Sequence, residues 1–376
     1  DKTVDLFNYT LSSGVLTVAS TYTMTLSGNT SISPSTAGII VNNGTFTQAA
    51  PGTITFNSIA TMTGSGTFNL NAGATLTTAN VQGIAASGAT GSVQTNTRNF
   101  NAGANYTFNG STYNTGTGMP ATVTGVVSFS GFAPTLGASH QFDSTVTVGT
   151  PMTITSPNIM TIGSTGIFNN SSQNISGTGS FVTNTGARLI IQTFSTTDSL
   201  MPAAGATTGL FRLTGLTISS GTIVNYNGFT TGIQPGSRFP ASIGTLIISN
   251  PGSLALSAPL TVSGLLFSST GRVQTTATNL LTVNVSTGNS IYRIVNTTAG
   301  GFVDGPMAIQ FPANYTGGGT FLYPIGKTTP STAFEGFELI NPTTGAGGTY
   351  TLMLEAFNAA PAGATLGTGL TGTIGA

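Results

Sequence analysis

Short alternations of β-branched and polar residues recur along this chain, and each is closed within a few positions by Gly, Asn, Ser or Pro. Gly14-Val-Leu-Thr-Val18, Thr53-Ile-Thr-Phe56, Ala74-Thr-Leu-Thr77, Thr145-Val-Thr-Val148 and Thr245-Leu-Ile-Ile248 are of this kind. A period of two puts successive side chains on opposite faces, so each segment predicts a short strand with one buried side. No stretch of about ten residues combines helix formers with apolar residues at i, i+3 and i+4. Gly, 52 of 376 residues, recurs too often to let a helix propagate. The chain therefore reads as all-β, and many closely spaced short strands leave a sandwich array, a barrel or a β-solenoid.

An internal repeat narrows the choice. Gly64-Ser-Gly-Thr-Phe-Asn-Leu-Asn-Ala-Gly-Ala-Thr-Leu76 returns as Gly177-Thr-Gly-Ser-Phe-Val-Thr-Asn-Thr-Gly-Ala-Arg-Leu189, shifted by 113 residues. Ala85-Ala-Ser-Gly-Ala-Thr-Gly91 returns as Ala203-Ala-Gly-Ala-Thr-Thr-Gly209, shifted by 118. Asn105-Tyr-Thr-Phe-Asn-Gly110, leading to Met119-Pro-Ala121, is echoed by Val224-Asn-Tyr-Asn-Gly228, leading to Phe239-Pro-Ala241, a shift of 120 between the prolines. Order and spacing both persist. Such a unit equals one sandwich domain or about five coils of the 20–29 residues common in solenoids. Coils stack like on like, and stacked charges repel whereas stacked Thr, Ser and Asn hydrogen-bond one another.

The expectation is a parallel β-solenoid of short coils with a C-terminal antiparallel β capping module; tandem β-sandwich domains are the alternative. Residues 1–112 form the first repeat region, 113–273 continue the solenoid through the second repeat, and 274–376 form the C-terminal β module. That last stretch has longer alternating strands and all three Glu residues. A solenoid end exposes unpaired backbone, so a more polar terminal element is expected there. The chain opens on Asp1-Lys2-Thr3 without a leader and stops in a Gly/Thr run without a polar cap, which reads as a mature or excised piece of a longer parent.

Charge completes the argument about class. Lys and Arg number 8 and Asp and Glu 8, so 4% of residues are charged, against about 25% in an ordinary soluble domain. Eight scattered cations cannot line a phosphate backbone, zero net charge offers nothing to an anionic membrane surface, and no run approaches 18 apolar residues, so nucleic acid and direct membrane insertion are not expected. Apolar residues at 38%, with 22 Phe and 9 Tyr, argue against disorder. Cys is absent, which removes disulfide scaffolds and thiolate metal sites.

The Asn105–Gly110 stretch with its Met119-Pro-Ala121 partner, the Leu280-Leu-Thr-Val283 run, and Gly301-Phe-Val-Asp-Gly-Pro-Met307 followed by Tyr323-Pro-Ile-Gly-Lys327 resemble large secreted surface proteins of the Bacteroidetes. The resemblance covers nearly the whole chain, with the C-terminal pair its more specific part. It implies export by the type IX secretion route, a place on the cell surface or in the extracellular matrix, and adhesin-like roles. It also implies O-glycosylation at Asp-Ser/Thr signals, here Asp143-Ser144-Thr145 and Asp198-Ser199-Leu200, making Ser144 and Ser199 the acceptors. An Asx or Ser turn is the plain alternative at both.

Catalytic residue types are scarce. His140 is the only His, with Asp143 three positions on, and the Gln-Phe alternation between them reads as an ordinary strand. Glu335 and Glu338 invite comparison with a glycosidase pair, but positions three apart on a strand face opposite sides. Gly326-Lys-Thr328 imitates the end of a phosphate-binding loop, yet Phe321 stands where that loop needs Gly. Thr-x-Thr alternation suggests an ice-binding ladder, but its spacing along the chain is irregular, which favours structural ladders.

These readings predict a non-enzymatic extracellular structural or adhesive protein, a rigid stalk or fibre former without cofactors. Its expected partners are further copies, other surface proteins or glycans. The alternative is a carbohydrate-binding accessory module of a secreted polysaccharide-acting protein, with Tyr106, Tyr113 and Tyr226 stacking on sugar rings.

Overall fold

The structure, a computed structural model, describes residues 9–11, 14–32, 39–171, 173–192, 199–227, 233–285, 294–296, 300–328 and 333–357. Those residues form strands, turns and bends without an α-helix, and they build a parallel β-solenoid of about 13 turns with antiparallel strands near the C-terminus. No helix among them is long and apolar enough to cross a membrane. The chain divides into two compact units, one of residues 1–193 and 201–222, the other of residues 194–200 and 223–376.

In the first unit a regular turn consists of three short strands. Ile39–Asn42, Thr45–Gln48 and Thr53–Phe56 make one turn, and Thr61–Thr63, Thr67–Leu70 and Thr75–Thr78 make the next. Each strand pairs in parallel with its counterpart one turn on, as in Ile40↔Met62, Phe46↔Phe68 and Ile54↔Leu76. The period of two predicted from the sequence explains the burial. Thr53, Thr55, Thr75 and Thr77 face outward and are half-buried, while Ile54, Phe56 and Leu76 are fully buried.

Because coils stack in register, inward residues form columns. Ile54, Leu76, Tyr106, Val127, Val146, Phe168 and Leu189 follow one another in one such column, each at 0% exposure. A second column places Phe46 on Phe68 with ring centroids 6.1 Å apart; Phe100, the register partner of Leu70, brings its ring to 5.9 Å from that of Phe68. Leu76 and Leu189 stand five coils apart in the first column, so the 113-residue repeat is a block of five coils and not a sandwich domain. Its anchors are structurally alike. Phe68 and Phe181, Ala74 and Ala187, and Leu76 and Leu189 are all buried core residues. Gly64 and Gly177 share φ values of 114° and 119°. An added Cβ at Gly64 would lie 2.3 Å from the Asn42 carbonyl oxygen of the coil beneath, so only Gly permits both the turn and the stacking distance.

Coil length is not constant. Register partners differ by 22 residues at Thr53↔Thr75, by 30 at Thr75↔Asn105 and by 19 at Val127↔Val146. The longest of these carries the excursion Ala85–Gly91, which Arg98 holds by donating from Nη1 to the Ala85 carbonyl at 2.9 Å and from Nη2 to the Gly88 carbonyl. In the second copy Arg212 donates to the Thr207 carbonyl inside Ala203–Gly209. Two of the chain's few cations thus fasten equivalent loops.

In the second unit Ile223–Tyr226, Ser242–Ile248, Leu260–Phe267, Leu281–Asn284 and Met307–Phe311 continue as parallel coils. A further sheet runs parallel through Ser253–Ala255, Arg272–Gln274, Phe302–Asp304 and Ile325–Lys327. Among the described residues, antiparallel pairing between strands is found at the end: Thr320–Tyr323 with Phe337–Ile340, Ile325–Lys327 with Ala333–Phe334, and Met307–Phe311 with Tyr350–Leu354. Parallel coils therefore run well past residue 274, and the antiparallel module is shorter than the sequence suggested.

Candidate functional site

The three tyrosines proposed to stack on sugars are core residues. Tyr106 and Tyr226 are 0% exposed and Tyr113 is 2% exposed, so none offers a ring face to solvent. Their hydroxyls explain why an amphipathic side chain is accommodated inside. Tyr106 Oη donates to the Asn101 carbonyl at 2.6 Å, and Tyr113 Oη lies 2.9 Å from the carbonyls of Phe108 and Ser130. Tyr226 Oη is buried without a partner among the described residues, and burial pushes all three phenols well above their ordinary range, which keeps them neutral. The sugar-stacking expectation for these positions is corrected accordingly.

His140 and Asp143 are not brought together as a catalytic pair. His140 is buried at 3% exposure in the strand His140–Phe142, with Nδ1 2.9 Å from the Pro120 carbonyl and Nε2 without a partner. Asp143 is held by Gln141, whose Nε2 donates to both carboxylate oxygens at 2.9 and 3.2 Å. Ser144 and Ser199, the expected glycan acceptors, are half-buried, and the backbone carbonyl of Ser144 accepts from the Ile167 N–H at 3.1 Å. Asp198 lies outside the described residues. Glu335 and Glu338 are both exposed, and Gly326-Lys-Thr328 lies on and just after the strand Ile325–Lys327.

The outward face shows an order that the sequence hides. Thr23, Thr45, Thr67 and Thr97 align across four coils, and two residues along Thr25, Thr47, Asn69 and Asn99 align beside them. A second double ladder runs through Thr53, Thr75 and Asn105, flanked by Thr55, Thr77, Thr107, Ser128, Thr147 and Asn169. Side chains bond along these ladders: Asn69 Nδ2 donates to Thr47 Oγ1 at 3.2 Å, Asn99 Nδ2 to Asn69 Oδ1 at 2.7 Å, and Asn105 Nδ2 to Thr75 Oγ1 at 3.4 Å. The Thr-x-Thr spacing is irregular along the chain only because coil lengths vary; between coils it is in register. An ordered Thr face therefore exists between coils although the sequence does not display it.

Sequence reasoning missed one cluster. Lys327 Nζ lies 2.9 Å from Glu355 Oε1, 3.9 Å from Asp304 Oδ1 and 5.9 Å from the centre of the Phe357 ring. Thr328 Oγ1 donates to Asp304 Oδ2. The signal was available in part, since Asp304 and Lys327 belong to the two C-terminal motifs quoted above, but their 23-residue separation conceals that they meet. Among the described residues, no group of three or more acidic or His side chains is placed to hold a metal ion. Searches of family models, curated proteins and solved structures returned no match to this chain.

Proposed function

We propose that the chain is a non-enzymatic extracellular structural or adhesive protein, a β-solenoid stalk that displays or joins other surface components. The observation that carries this reading is the outward face of the coils, where uncharged Thr, Ser and Asn stand in register and bond along the stack. A ladder of this kind spends its polar groups on its own neighbours and extends by repetition, as a spacer requires. The near absence of charge fits the same role, because like charges at a few ångströms' spacing would repel at every turn, and it favours association with further copies. Secretion by the type IX route and residence at the cell surface follow from the Bacteroidetes resemblance and belong to this proposal. So does O-glycosylation at Ser144 and Ser199, which would restore hydration that the missing charges do not supply. Sedimentation velocity tests the stalk: a frictional ratio well above that of a sphere is expected, and a compact monomer near the spherical value overturns it.

One observation favours a second reading. Two Thr/Asn ladders two residues apart on successive coils present a regular array of hydroxyls, which suits a face that orders water or binds ice. Thermal hysteresis measured on the chain and on Thr45→Tyr decides it: hysteresis lost in the variant supports a water-ordering face, and none in the parent chain rejects it.

A further inference from the structure

In a chain with 16 charged residues, three meet at one point, and both ion pairs among the described residues end on Lys327. Asp304 ends the strand Phe302–Asp304, whose register places it beside Gly326 in the strand Ile325–Lys327. Glu355 directly follows the strand Tyr350–Leu354. The surroundings are apolar: Phe302 and Val303 are fully buried, Ile325 is 4% exposed, and the Phe357 ring lies over the ammonium. The side chains of Lys327, Asp304 and Glu355 keep only 22%, 14% and 29% of their exposure. Three charges that have given up most of their water repay it only in part through pairing.

We propose that Lys327 and Asp304 become joined by an intramolecular amide bond, formed by the fold itself with Glu355 as proton carrier. The groups present fill every role the condensation needs. Glu355 Oε1, at 2.9 Å, takes a proton from the Lys327 ammonium and frees the amine. Glu355 delivers that proton to Asp304 Oδ1; the amine attacks Cγ of the resulting acid, a C–N bond forms, and the oxygen that gains charge is Oδ2, the one hydrogen-bonded by Thr328 Oγ1. Glu355 then takes the second proton from the attacking nitrogen, and collapse breaks the bond from Cγ to the protonated oxygen; the departing hydroxyl takes that proton from Glu355 and leaves as water. One ammonium and one carboxylate become one amide and one water, net charge is unchanged, Glu355 is regenerated, and no oxidant, reductant or co-substrate is consumed. Holding amine and carboxyl together on adjacent strands supplies the orientation that makes such a reaction intramolecular. The product removes two partly desolvated charges and covalently closes the chain between 304 and 327, at the end of the solenoid where parallel pairing gives way to antiparallel pairing.

Intact mass spectrometry of the unfolded 376-residue chain, made in a host without O-glycosylation and first folded, tests this directly. The expected mass is one water below that of the sequence, and proteolytic mapping is expected to yield a branched peptide joining Asp304 to Lys327. Lys327→Arg keeps the cation but not the nucleophilic amine, and Glu355→Gln keeps the shape but not the base. Both are expected to show the full mass, with far-ultraviolet circular dichroism reporting that each still folds. A folded parent chain of full sequence mass overturns the proposal. So does a water loss that persists in Lys327→Arg, which would instead be imide closure at Asp304-Gly305. A water loss retained in Glu355→Gln with the branched peptide intact overturns the role given to Glu355.

Discussion

The coils between Ile39 and Ser171 and the last antiparallel strands, Phe337–Ile340 and Tyr350–Leu354, use similar residues in similar alternation, yet they treat them differently. In the coils, alternation and burial coincide: Thr45, Phe46, Thr47 and Gln48 run half-buried, buried, half-buried, buried. In Tyr350–Leu354 the first four residues are all exposed, and Phe337–Ile340 is exposed at three of four positions. A coil strand has a neighbour above and below and the opposite wall of its own coil in front, so one face is always closed. The strands Phe337–Ile340 and Tyr350–Leu354 are each paired along one edge, and most of their side chains stay open to solvent. Ile340 at 64%, Met353 at 54% and Phe357 at 59% exposure are the result. Alternation predicts a strand; only stacking decides that one side of it becomes core.

The same truncation in the two regions is the strongest way to break this contrast. Phe68→Ala opens a cavity between Phe46 and Phe100 and is expected to cost about 3–5 kcal/mol, whereas Phe337→Ala, at a site 44% exposed, is expected to stay within about 0.5 kcal/mol. Urea unfolding followed by tyrosine fluorescence or circular dichroism measures both. Equal losses would mean that the terminal strands are as closed as the coils.

Glycine separates the regions in a second way. Gly64 and Gly348 have similar positive φ, 114° and 118°, but an added Cβ meets the Asn42 backbone at 2.3 Å in the first case and nothing within 4 Å in the second. Gly348→Ala should therefore cost roughly 1 kcal/mol from backbone strain alone, and Gly64→Ala about 2 kcal/mol or more because the coils must part. The difference between the two losses in urea reads out the contribution of coil-on-coil contact. Its absence would show that the stack yields freely at that turn.

The parts of this fold that were legible in the sequence are those with a local or a repeated signature. Thr53-Ile-Thr-Phe56 is recognisable as a half-buried strand from four residues, and the paired anchors Phe68/Phe181 and Leu76/Leu189 disclose a block of five coils. What depends on matching distant turns was not legible. The Thr ladders are invisible along the chain because one coil has 30 residues and another 19, so equal heights in the stack fall at unequal spacings. An aromatic ring with a hydroxyl suits a sugar site and a core equally well; what places Tyr106 and Tyr113 inside is a carbonyl within reach, and for Tyr113 two of them come from residues 5 and 17 positions away. Lys327, Asp304 and Glu355 are three separate polar residues until the turn from parallel to antiparallel pairing brings them to one place. The antiparallel module is shorter than 274–376 for a related reason: Leu281–Asn284 and Met307–Phe311 alternate as strands of an antiparallel sheet do, but each pairs in parallel with the coil strand before it.

Within the coils, the outward ladders should matter less than the inward columns. Asn69 donates to Thr47 and accepts from Asn99, so Asn69→Ala removes two side-chain bonds in a half-exposed setting, with an expected cost of about 0.5–1 kcal/mol. A double-mutant cycle with Asn99→Ala should give a coupling energy of about 0.5 kcal/mol, and a coupling of zero would mean that the ladder is geometry without energy.

The smallest effect concerns the one histidine, and it arises because a coil core is closed on all sides. With Nδ1 donating to the Pro120 carbonyl, His140 is neutral, and its buried Nε2 has no partner. Protonation would place a charge in that site, and burial accordingly pulls its pKa below the ordinary value of 6.5, with the Pro120 bond opposing only in part. A lowered folded-state pKa means that the unfolded chain takes up the proton first as pH falls. The His140 contribution to stability is therefore complete above about pH 6.5 and declines as pH drops below it towards the folded-state pKa. His140→Gln can keep a donor to the Pro120 carbonyl but does not titrate. Urea midpoints measured from pH 8 down to about pH 5 should decline more steeply in the parent chain than in His140→Gln. Parallel curves would mean that His140 meets solvent in a coil that opens locally, and the coils would then resemble the terminal strands more closely than their burial implies.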